Sequence, residues 1–228
     1  MRVLIFGATG MVGQGVLREC LLDAGVERVV AIGRTSTGAQ SAKLGEIIHE
    51  DLRNYAPIEA QLTGFDACFF CLGVTSAGMS EEDYTRVTYG IAAAAAETLA
   101  RLNPQMTFVF VSGVGADSTE KSRTMWARVK GKAENAVLGA GFKGAYVFRP
   151  AFIQPLHGIQ SRTPAYRILY AIGKPLMPVL RALFPSYVLT TEDIGRAMLI
   201  VARRGAAKRV LEPKDIRELL TSDQRAQK

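Results

Sequence analysis

The amino-acid sequence predicts an α/β fold built on a doubly wound parallel sheet, and three observations support this. Short β-branched runs alternate with longer segments of helical periodicity through the first 150 residues, which is typical of repeated strand–helix–strand units. The first strand runs directly into a glycine-rich loop that a helical pattern follows. Of the 228 residues, 48% are apolar and 21% are charged, which is enough apolar material for a large core. This composition excludes a disordered chain and a small disulfide scaffold.

The predicted elements follow one another in a regular order. The strands are Val3–Phe6, Arg28–Ile32, Glu46–Glu50, Ala67–Leu72, Thr107–Val111 and Ala145–Phe148. Apolar residues at helical spacing between Val12 and Leu21 predict the first helix. An Ala-rich helix runs from Glu81 to Leu102 and ends before Asn103-Pro104, and a third helix covers about 122–138.

After Arg149-Pro150 the alternation stops. Six of the nine prolines lie in residues 150–189, so no further strand–helix unit is predicted there. Thr190-Thr191 precede two acidic residues, which is an N-cap pattern for one more helix. We therefore predict a core of residues 1–150 and a small, mostly helical lobe of residues 151–228, packed together as one compact unit. Apolar residues between 166 and 183 are expected to fill this lobe or a contact between copies, so a homo-oligomer stays open.

The loop after the first strand carries glycines at positions 7, 10 and 13, in the sequence Gly7-Ala8-Thr9-Gly10-Met11-Val12-Gly13. Glycine permits a tight turn, allows a backbone to approach a pyrophosphate and lets the helix pack closely on the strand. The helix N-terminus then faces the negative charge. In this strand–loop–helix context the pattern predicts a dinucleotide site in a Rossmann-like fold, and the alternative is a purely structural turn.

The second and third strands indicate which dinucleotide is bound. The second strand ends in Gly33-Arg34, and no Asp or Glu occurs between Glu27 and Glu46, where an acidic residue would bind the ribose hydroxyls of NAD(H). Arg34 is suited to a 2′-phosphate, so NADP(H) is predicted over NAD(H). The alternative for Arg34 is a solvated surface residue. After the third strand, Asp51 and its neighbour Leu52 are placed at the adenine, although Asp51 is equally suited to a turn.

Several further motifs occur in a fixed order along the chain. They are Cys71-Leu72-Gly73-Val74-Thr75, Val111-Ser112-Gly113, Val129-Lys130-Gly131 and Phe148-Arg149-Pro150. Together with the glycine loop, they resemble the short-chain dehydrogenase/reductase superfamily over residues 1–155. More closely, they resemble its atypical branch of Tat-interacting-protein-like oxidoreductases and bacterial NAD(P)-binding epimerase-like proteins. The cofactor contacts that this resemblance implies are Gly7, Thr9, Gly10, Met11, Val12, Gly13, Leu72, Gly73, Lys130, Pro150 and Phe152.

The same resemblance implies catalytic residues. Members of the superfamily use a Ser or Thr with a Tyr and a Lys four residues apart on one helix, often with an Asn on the preceding helix. Lys130 aligns with the lysine, which holds the nicotinamide ribose, and Ser112 would polarise the substrate oxygen. Trp126 stands where the tyrosine is expected, and an indole has no accessible proton to give. Thr88 stands where the Asn would be.

Three functions remain open at this point. The first is an NADP(H)-dependent oxidoreductase that acts on a small carbonyl or alcohol by hydride transfer. The alternative is a catalytically weak NADP(H) sensor or protein-interaction module, which the missing tyrosine would allow. An epimerase or dehydratase is a weaker alternative, because the part of the chain after Pro150 is short for a lobe that binds a nucleotide sugar.

Charge and cysteine content limit the partners and the location. The net charge is −4 in residues 1–114 and +11 in residues 115–228. The basic cluster Lys121–Lys132 contains one aromatic residue, Trp126, instead of the interleaved aromatics of a nucleic-acid site, so no nucleic-acid partner is expected. Three cysteines and two histidines predict neither a disulfide framework nor a metal site, and a reducing cytoplasm is expected. No apolar run is long enough to span a membrane.

Overall fold

The computed structural model describes residues 1–159 and 186–226, and the elements are numbered over these residues. The strands are β1 (Arg2–Phe6), β2 (Arg28–Gly33), β3 (Leu44–Ile48), β4 (Ala67–Phe70), β5 (Thr107–Val111), β6 (Gly144–Phe148), β7 (Phe152–Gln154), β8 (Val188–Thr190) and β9 (Val210–Leu211). The helices are α1 (Met11–Leu22), α2 (Glu81–Leu102), α3 (Met125–Gly139), α4 (Thr191–Arg204) and α5 (Pro213–Ala226), with a 3₁₀ helix at Ala56–Gln61. The predicted α/β class is confirmed.

Seven of the strands form one parallel sheet in the order β3-β2-β1-β4-β5-β6-β9. The chain runs outward from β1 to β3, then crosses over to β4 and runs outward in the other direction. The strand order therefore reverses between the neighbouring strands β1 and β4. In sheets of this kind, ligands bind at the carboxyl ends of the strands beside this reversal point. All carboxyl ends of these strands lie at one edge, so the residues that follow them are brought together.

Alternate residues of each strand pack into two separate cores, one on each face of the sheet. Val3 and Ile5 of β1 pack with apolar residues of α1, α4 and α5, whereas Leu4 and Phe6 pack with those of α2 and α3. This alternation follows from the two-residue period of a strand. Both faces of the sheet are covered by helices, which explains why its central strands are apolar on both sides.

Part of the C-terminal segment belongs to the sheet layers. Strand β9 pairs with β6, and α4 packs against α1 through glycines: a methyl group at Gly15 would lie 2.5 Å from Cβ of Thr191. The predicted N-cap of α4 is confirmed, because the Thr190 side chain and Asp193 form a reciprocal capping box. Strands β7 and β8 form a separate parallel pair. The sequence showed no sign of β9, since two residues carry no alternation, and the division into 1–150 and 151–228 stays a prediction.

β1, β2 and β6 are each one residue longer than predicted, and the bounds of β3 and β4 differ by two residues. β3 spans Leu44–Ile48 instead of Glu46–Glu50, because its ladder with β2 runs from Val29 opposite Leu44 to Gly33 opposite Ile48. β4 ends at Phe70, two residues earlier than predicted, where the chain turns into the loop at the sheet edge. The apolar residues between 166 and 183, expected in a lobe core or between copies, lie outside the described residues. In the described part of the chain, no helix has both the length and the apolarity needed to span a membrane.

Candidate functional site

The glycine loop lies at the reversal point of the sheet, between the ends of β1 and β4. Gly7 has a φ of 75°, and a side chain there would meet the backbone of Cys71 and Leu72 at 2.8 Å. A methyl group at Gly13 would lie only 2.0 Å from the Gly7 carbonyl oxygen. Both positions therefore require glycine, one for its backbone conformation and both for close approach. The loop is held shut by a hydrogen bond from the Gly10 N–H to the Gly7 carbonyl, 2.9 Å long.

Helix α1 begins at Met11 and points its N-terminus at this loop. Its N-cap is Gly10, which has no side chain to satisfy the first N–H groups, and its first turn holds no acidic residue. Unsatisfied N–H groups and the helix dipole together make such an end suited to a phosphate. Met11 and Val12 form the first turn, and Val12 packs into the core beneath it.

A cleft of about 320 Å³ runs from the glycine loop across the ends of β2 and β3. It brings together five of the predicted cofactor residues, namely Gly7, Thr9, Arg34, Leu52 and Leu72. Gly73, next to Leu72, is exposed, with open space around the position of a side chain. The cleft places the sequence-predicted glycine, arginine and strand-end residues along one surface.

The cleft also contains a carboxylate that the sequence analysis missed. Glu46 on β3 lies opposite Ala31 of β2 in the parallel register and lines the same cleft as Arg34. Its carboxylate accepts hydrogen bonds from the Ser36 hydroxyl (2.7 Å) and from the Thr37 N–H and hydroxyl (2.7 and 2.6 Å). These bonds lower the pKa of Glu46 and keep it charged. A prediction that β3 pairs in parallel with β2 would have placed Glu46 near the strand end that carries Arg34.

Asp51 and Leu52 separate in the structure. Leu52 is buried and lines the cleft, whereas Asp51 is exposed and is not among the cleft residues. The Asp51 carboxylate accepts a hydrogen bond from the Arg53 N–H at 3.1 Å, an arrangement that closes a local turn. The structure thus gives Asp51 the turn geometry that the sequence left as its alternative.

Lys130 lies on α3, beside the end of β5. Its Nζ donates to the Val111 carbonyl at 3.4 Å and lies 5.3 Å from the centre of the Phe110 ring. Burial lowers the pKa of Lys130 to about 8, and the neighbouring Glu134 opposes this shift. An amine of this kind can lose or hold a proton near neutral pH.

Ser112 directly follows β5 and is buried with a hydroxyl that has no hydrogen-bond partner in the described part of the chain. Its N–H donates to the Phe148 carbonyl, which fixes it beside the end of β6. The buried hydroxyl of Thr88 on α2 is likewise without a partner among the described residues. Buried hydroxyls normally make hydrogen bonds, so each of these two groups can bind a water or a polar group of a ligand.

Trp126 occupies the first turn of α3, one helical turn before Lys130. Its ring packs over the loop that follows Ser112, since a methyl group at Gly115 would lie 3.2 Å from its Cη2 atom. Gly115 has a φ of 87°, which a residue with a side chain rarely adopts. The indole therefore covers the turn that carries Ser112, on the helix face where the resemblance places a tyrosine.

The backbone near Pro150 is already engaged by protein groups. The Pro150 carbonyl accepts from the Val114 N–H at 3.1 Å, and the Phe152 N–H donates to the Tyr187 carbonyl at 3.1 Å. The Phe152 side chain is 58% exposed. Pro150 thus lies beside the loop that follows Ser112, at the β5–β6 end of the edge, whereas Phe152 pairs with the segment of β8. The cleft with Arg34 lies at the β1–β3 end.

These features fit a bound dinucleotide. Any side chain at Gly7 or Gly13 would fill the glycine cradle, and the helix end above it has no side-chain cap. At the β5–β6 end of the edge, the buried Ser112 hydroxyl has no hydrogen-bond partner among the described residues. Metal and thiol chemistry has less support: no cluster of three or more candidate ligands occurs among the described residues. Burial raises the pKa of both Cys68 and Cys71, which pack on opposite faces of the sheet.

Several solved structures share the fold of this chain. An oxidoreductase of the short-chain dehydrogenase/reductase family from Burkholderia thailandensis aligns with a TM-score of 0.64 at 18% identity. The aligned region covers 100% of this chain and 97% of that structure. The oxidoreductase ylbE from Lactococcus lactis has the same TM-score at 16% identity, over 99% and 97%. The Bordetella bronchiseptica enzyme WbmF, solved with NAD⁺, has a TM-score of 0.67 at 14% identity, over 98% and 77%. The predicted Rossmann-like fold is confirmed.

Curated relatives come from fungi. The fmp52 protein of Aspergillus fumigatus is 31% identical over 202 residues, which are 86% of this chain and 84% of the relative. The fmp52 protein of Emericella nidulans is 28% identical over the same share of both chains. The FMP52-1 protein of Scheffersomyces stipitis is 26% identical over 182 residues, 77% of this chain and 79% of the relative.

The expected cytoplasmic location is contradicted by these relatives, whose names are all qualified as mitochondrial. The expectation came from the low cysteine content, which excludes a disulfide framework but does not distinguish one compartment without disulfides from another. Composition was therefore an insufficient basis for it.

A family model described as NAD(P)H-binding matches residues 7–143, which is more than half of the chain. The match begins at the first glycine of the cradle and includes Arg34, Ser112, Trp126 and Lys130. The chain therefore belongs to the NAD(P)H-binding family and is a relative of the fungal FMP52 proteins.

Proposed function

We propose that this protein is an NADP(H)-dependent oxidoreductase that acts on a small, uncharged carbonyl or alcohol compound. The observation that carries the proposal is that Lys130 and the buried Ser112 hydroxyl, which has no hydrogen-bond partner among the described residues, lie at the same carboxyl end of β5. Both lie on the same sheet edge as the glycine cradle, where a dinucleotide would extend across the reversal point. When bound, the nicotinamide supplies or accepts the hydride.

The glycine cradle and Arg34 would hold the pyrophosphate and the adenosine end of the dinucleotide. We assign the pyrophosphate to the backbone around Gly7, Gly10 and Gly13, and the 2′-phosphate to Arg34. Glu46 stands in the same cleft, but its carboxylate is turned to Ser36 and Thr37 and is occupied by three donors. The guanidinium of Arg34 is exposed and able to pair with an anion, which supports NADP(H) over NAD(H).

Lys130 and Ser112 would act at the other end. The ammonium of Lys130 would bind the nicotinamide ribose, and its lowered pKa of about 8 lets it pass a proton to or from that site near neutral pH. The Ser112 hydroxyl would donate to the substrate oxygen. Trp126 would line the pocket and offer at most its indole N–H.

The chemical class of the substrate is indicated by the loops around this end. No charged residue occurs in 72–80, 112–116 or 150–156, which follow β4, β5 and β6. These loops instead expose Val74, Val114 and Phe152 by 49%, 43% and 58%. These three loops offer no charged side chain to a carboxylate or a diphosphate, which supports an apolar carbonyl over a nucleotide sugar.

A second candidate function is a sensor of the NADP(H) pool with little turnover. The observation in its favour is Trp126, which covers the loop at Gly115 where the resemblance places a phenol that would exchange the carbonyl proton. A protein with an intact cradle and no proton donor would bind the dinucleotide without consuming it.

One experiment separates the two. NADPH and NADH binding are measured by fluorescence titration, and NADPH oxidation is then followed against a panel of apolar aldehydes and ketones, with sugar nucleotides and keto acids as charged comparators. Turnover of the apolar panel by the natural chain supports the oxidoreductase. Tight binding without turnover, together with activity gained by Trp126→Tyr, supports the sensor, and absence of dinucleotide binding overturns both.

A further inference from the structure

Arg149 and Glu134 form a buried ion pair, and Glu134 lies one helical turn after Lys130 on α3. Arg149, the residue after β6, donates from Nε to Oε1 of Glu134 at 3.0 Å and from Nη2 to Oε2 at 2.5 Å. The Glu134 side chain on α3 has no exposed surface, and that of Arg149 is 13% exposed. Ser118 completes the group, since its hydroxyl accepts from Arg149 at 2.7 Å and donates to Glu134 at 3.1 Å. This is a bidentate, charge-assisted contact in a water-poor interior.

The pair joins the segments that build the proposed catalytic end. Ser118 belongs to the loop after β5 that begins at Ser112, Glu134 lies one helical turn after Lys130, and Arg149 precedes Pro150. Residues four apart on a helix lie on one face, so Glu134 and Lys130 are stacked along α3. Two backbone bonds run parallel to the pair, from Ser112 to Phe148 and from Val114 to Pro150. The loop, the helix and the strand end are therefore fixed relative to one another.

Stability alone does not account for a buried pair of this kind. Taking both charges out of water costs about as much as their attraction returns, and well-packed apolar residues of similar volume are often as stable. A buried pair in this position can instead fix the geometry of the segments that it joins and the charge around them.

The charged groups around the pair define what it does to the lysine. Glu134 is an acidic neighbour of Lys130 on the same helix, while β5 presents the Val111 carbonyl and the Phe110 ring to the amine. Arg149 faces Glu134 from the end of β6, and Glu212, before α5, pairs with Arg149 at 3.1 Å. The charge of Glu134 is thus shared between a cation that binds it directly and an amine one turn away.

We propose that Arg149 and Glu134 are positioning residues for Lys130: the pair holds α3 against the β6 end and sets the fraction of the Glu134 charge that acts on the amine. The role of Lys130 in cofactor binding rests on the function proposed above, whereas the coupling of the pair to the amine does not.

The coupling has a signature that loss of stability cannot imitate. Removing the Glu134 charge in Glu134→Gln takes away an attraction for the proton, so the pKa of Lys130 falls. Removing Arg149 in Arg149→Met leaves the Glu134 charge without its partner, so the pKa of Lys130 rises. Two variants that loosen the same contact would then shift one pKa in opposite directions.

The pKa is read in the full chain by reductive ¹³C-methylation of lysines and NMR titration, with the Lys130 signal assigned by its loss in Lys130→Arg. We expect shifts of about half a unit or more in opposite directions, about tenfold weaker NADPH binding in both variants, and partial recovery in Arg149→Lys. Arg128→Met is the matched control, because Arg128 lies on the same helix as Lys130 and its pair with Glu81 of α2 is partly exposed.

Shifts in the same direction, or none, would overturn the proposal. If Arg149→Met fails to fold, Glu134→Gln alone decides, since an unchanged or raised Lys130 pKa contradicts the coupling. A chain in which the opposite shifts occur but NADPH does not bind would refute the proposed function and leave the coupling intact. NADPH binding without the shifts would do the reverse.

Discussion

The two ends of the sheet edge hold their charges in opposite ways. At the β2–β3 end, Arg34 and Glu46 are exposed, and the Glu46 carboxylate is held by neutral hydroxyl and N–H groups of a surface loop. At the β5–β6 end, Glu134 is fully buried and is bound by Arg149, with Lys130 one turn away. Exposed charges interact through water and contribute little to stability, whereas buried charges depend on each other. The first end is suited to selecting a ligand by charge, and the second to holding one geometry.

Substitution within the buried pair is expected to have the largest effect on stability. Arg149→Met leaves the Glu134 carboxylate buried without its partner, which typically costs about 3–5 kcal/mol. We expect urea unfolding to show this loss. The matched control is Arg86→Met, which breaks the exposed pair with Asp83 and is expected to cost less than about 1 kcal/mol. Equal losses in the two variants would contradict the difference between buried and exposed ion pairs.

The glycine cradle is expected to show the next effect. Gly13→Ala places a methyl group 2.0 Å from the Gly7 carbonyl oxygen, so strand β1 and helix α1 must move apart. Overpacking of this kind costs about 1–3 kcal/mol. We expect a lower Tm and weaker binding of both NADPH and NADH. Gly139→Ala is the control, because a methyl group there meets open space and the residue is not among the cofactor contacts; a similar loss in that variant would show that the cradle is not specifically packed.

Exchange of Arg34 tests the exposed end. If its guanidinium pairs with a 2′-phosphate, Arg34→Gln weakens NADPH binding about tenfold, the value of one charge-assisted contact, and leaves NADH binding unchanged. The unfolding free energy should not change, since the side chain is exposed. The measurement is the ratio of the two dissociation constants at fixed ionic strength. An unchanged ratio would refute the charge argument for NADP(H).

Neutralising Glu46 is expected to have the smallest effect, in the opposite direction. Glu46→Gln removes a negative charge from the cleft and keeps an oxygen that accepts from Ser36 and Thr37. We expect NADPH binding to strengthen by about twofold to threefold relative to NADH, because exposed charges are screened by water and salt. Weaker NADPH binding would instead show that Glu46 matters mainly by ordering the loop after Arg34.

Sequence reasoning was most successful where one local pattern determines the conformation. The strand, glycine loop and helix at residues 3–22, the Ala-rich helix α2 and the N-cap of α4 were predicted from spacing and residue type, and the structure contains all three. Local propensity and packing agree in these segments. The boundaries of β3 and the strand β9 were missed because they depend on which neighbour a strand pairs with.

By itself, the sequence determined the α/β class, the glycine cradle at Gly7 and Gly13, and the candidates Arg34, Ser112 and Lys130, since each follows from short-range spacing or from a resemblance carried by contiguous motifs. Only the tertiary structure placed Glu46 in the cleft of Arg34 and Arg149 against Glu134. Arg34 and Glu46 are 12 residues apart, and Glu134 and Arg149 are 15 residues apart. No local sequence pattern links residues at these separations. Sheet register and helix docking decide such contacts, because they are made by burying whole faces and not by the propensity of any one segment.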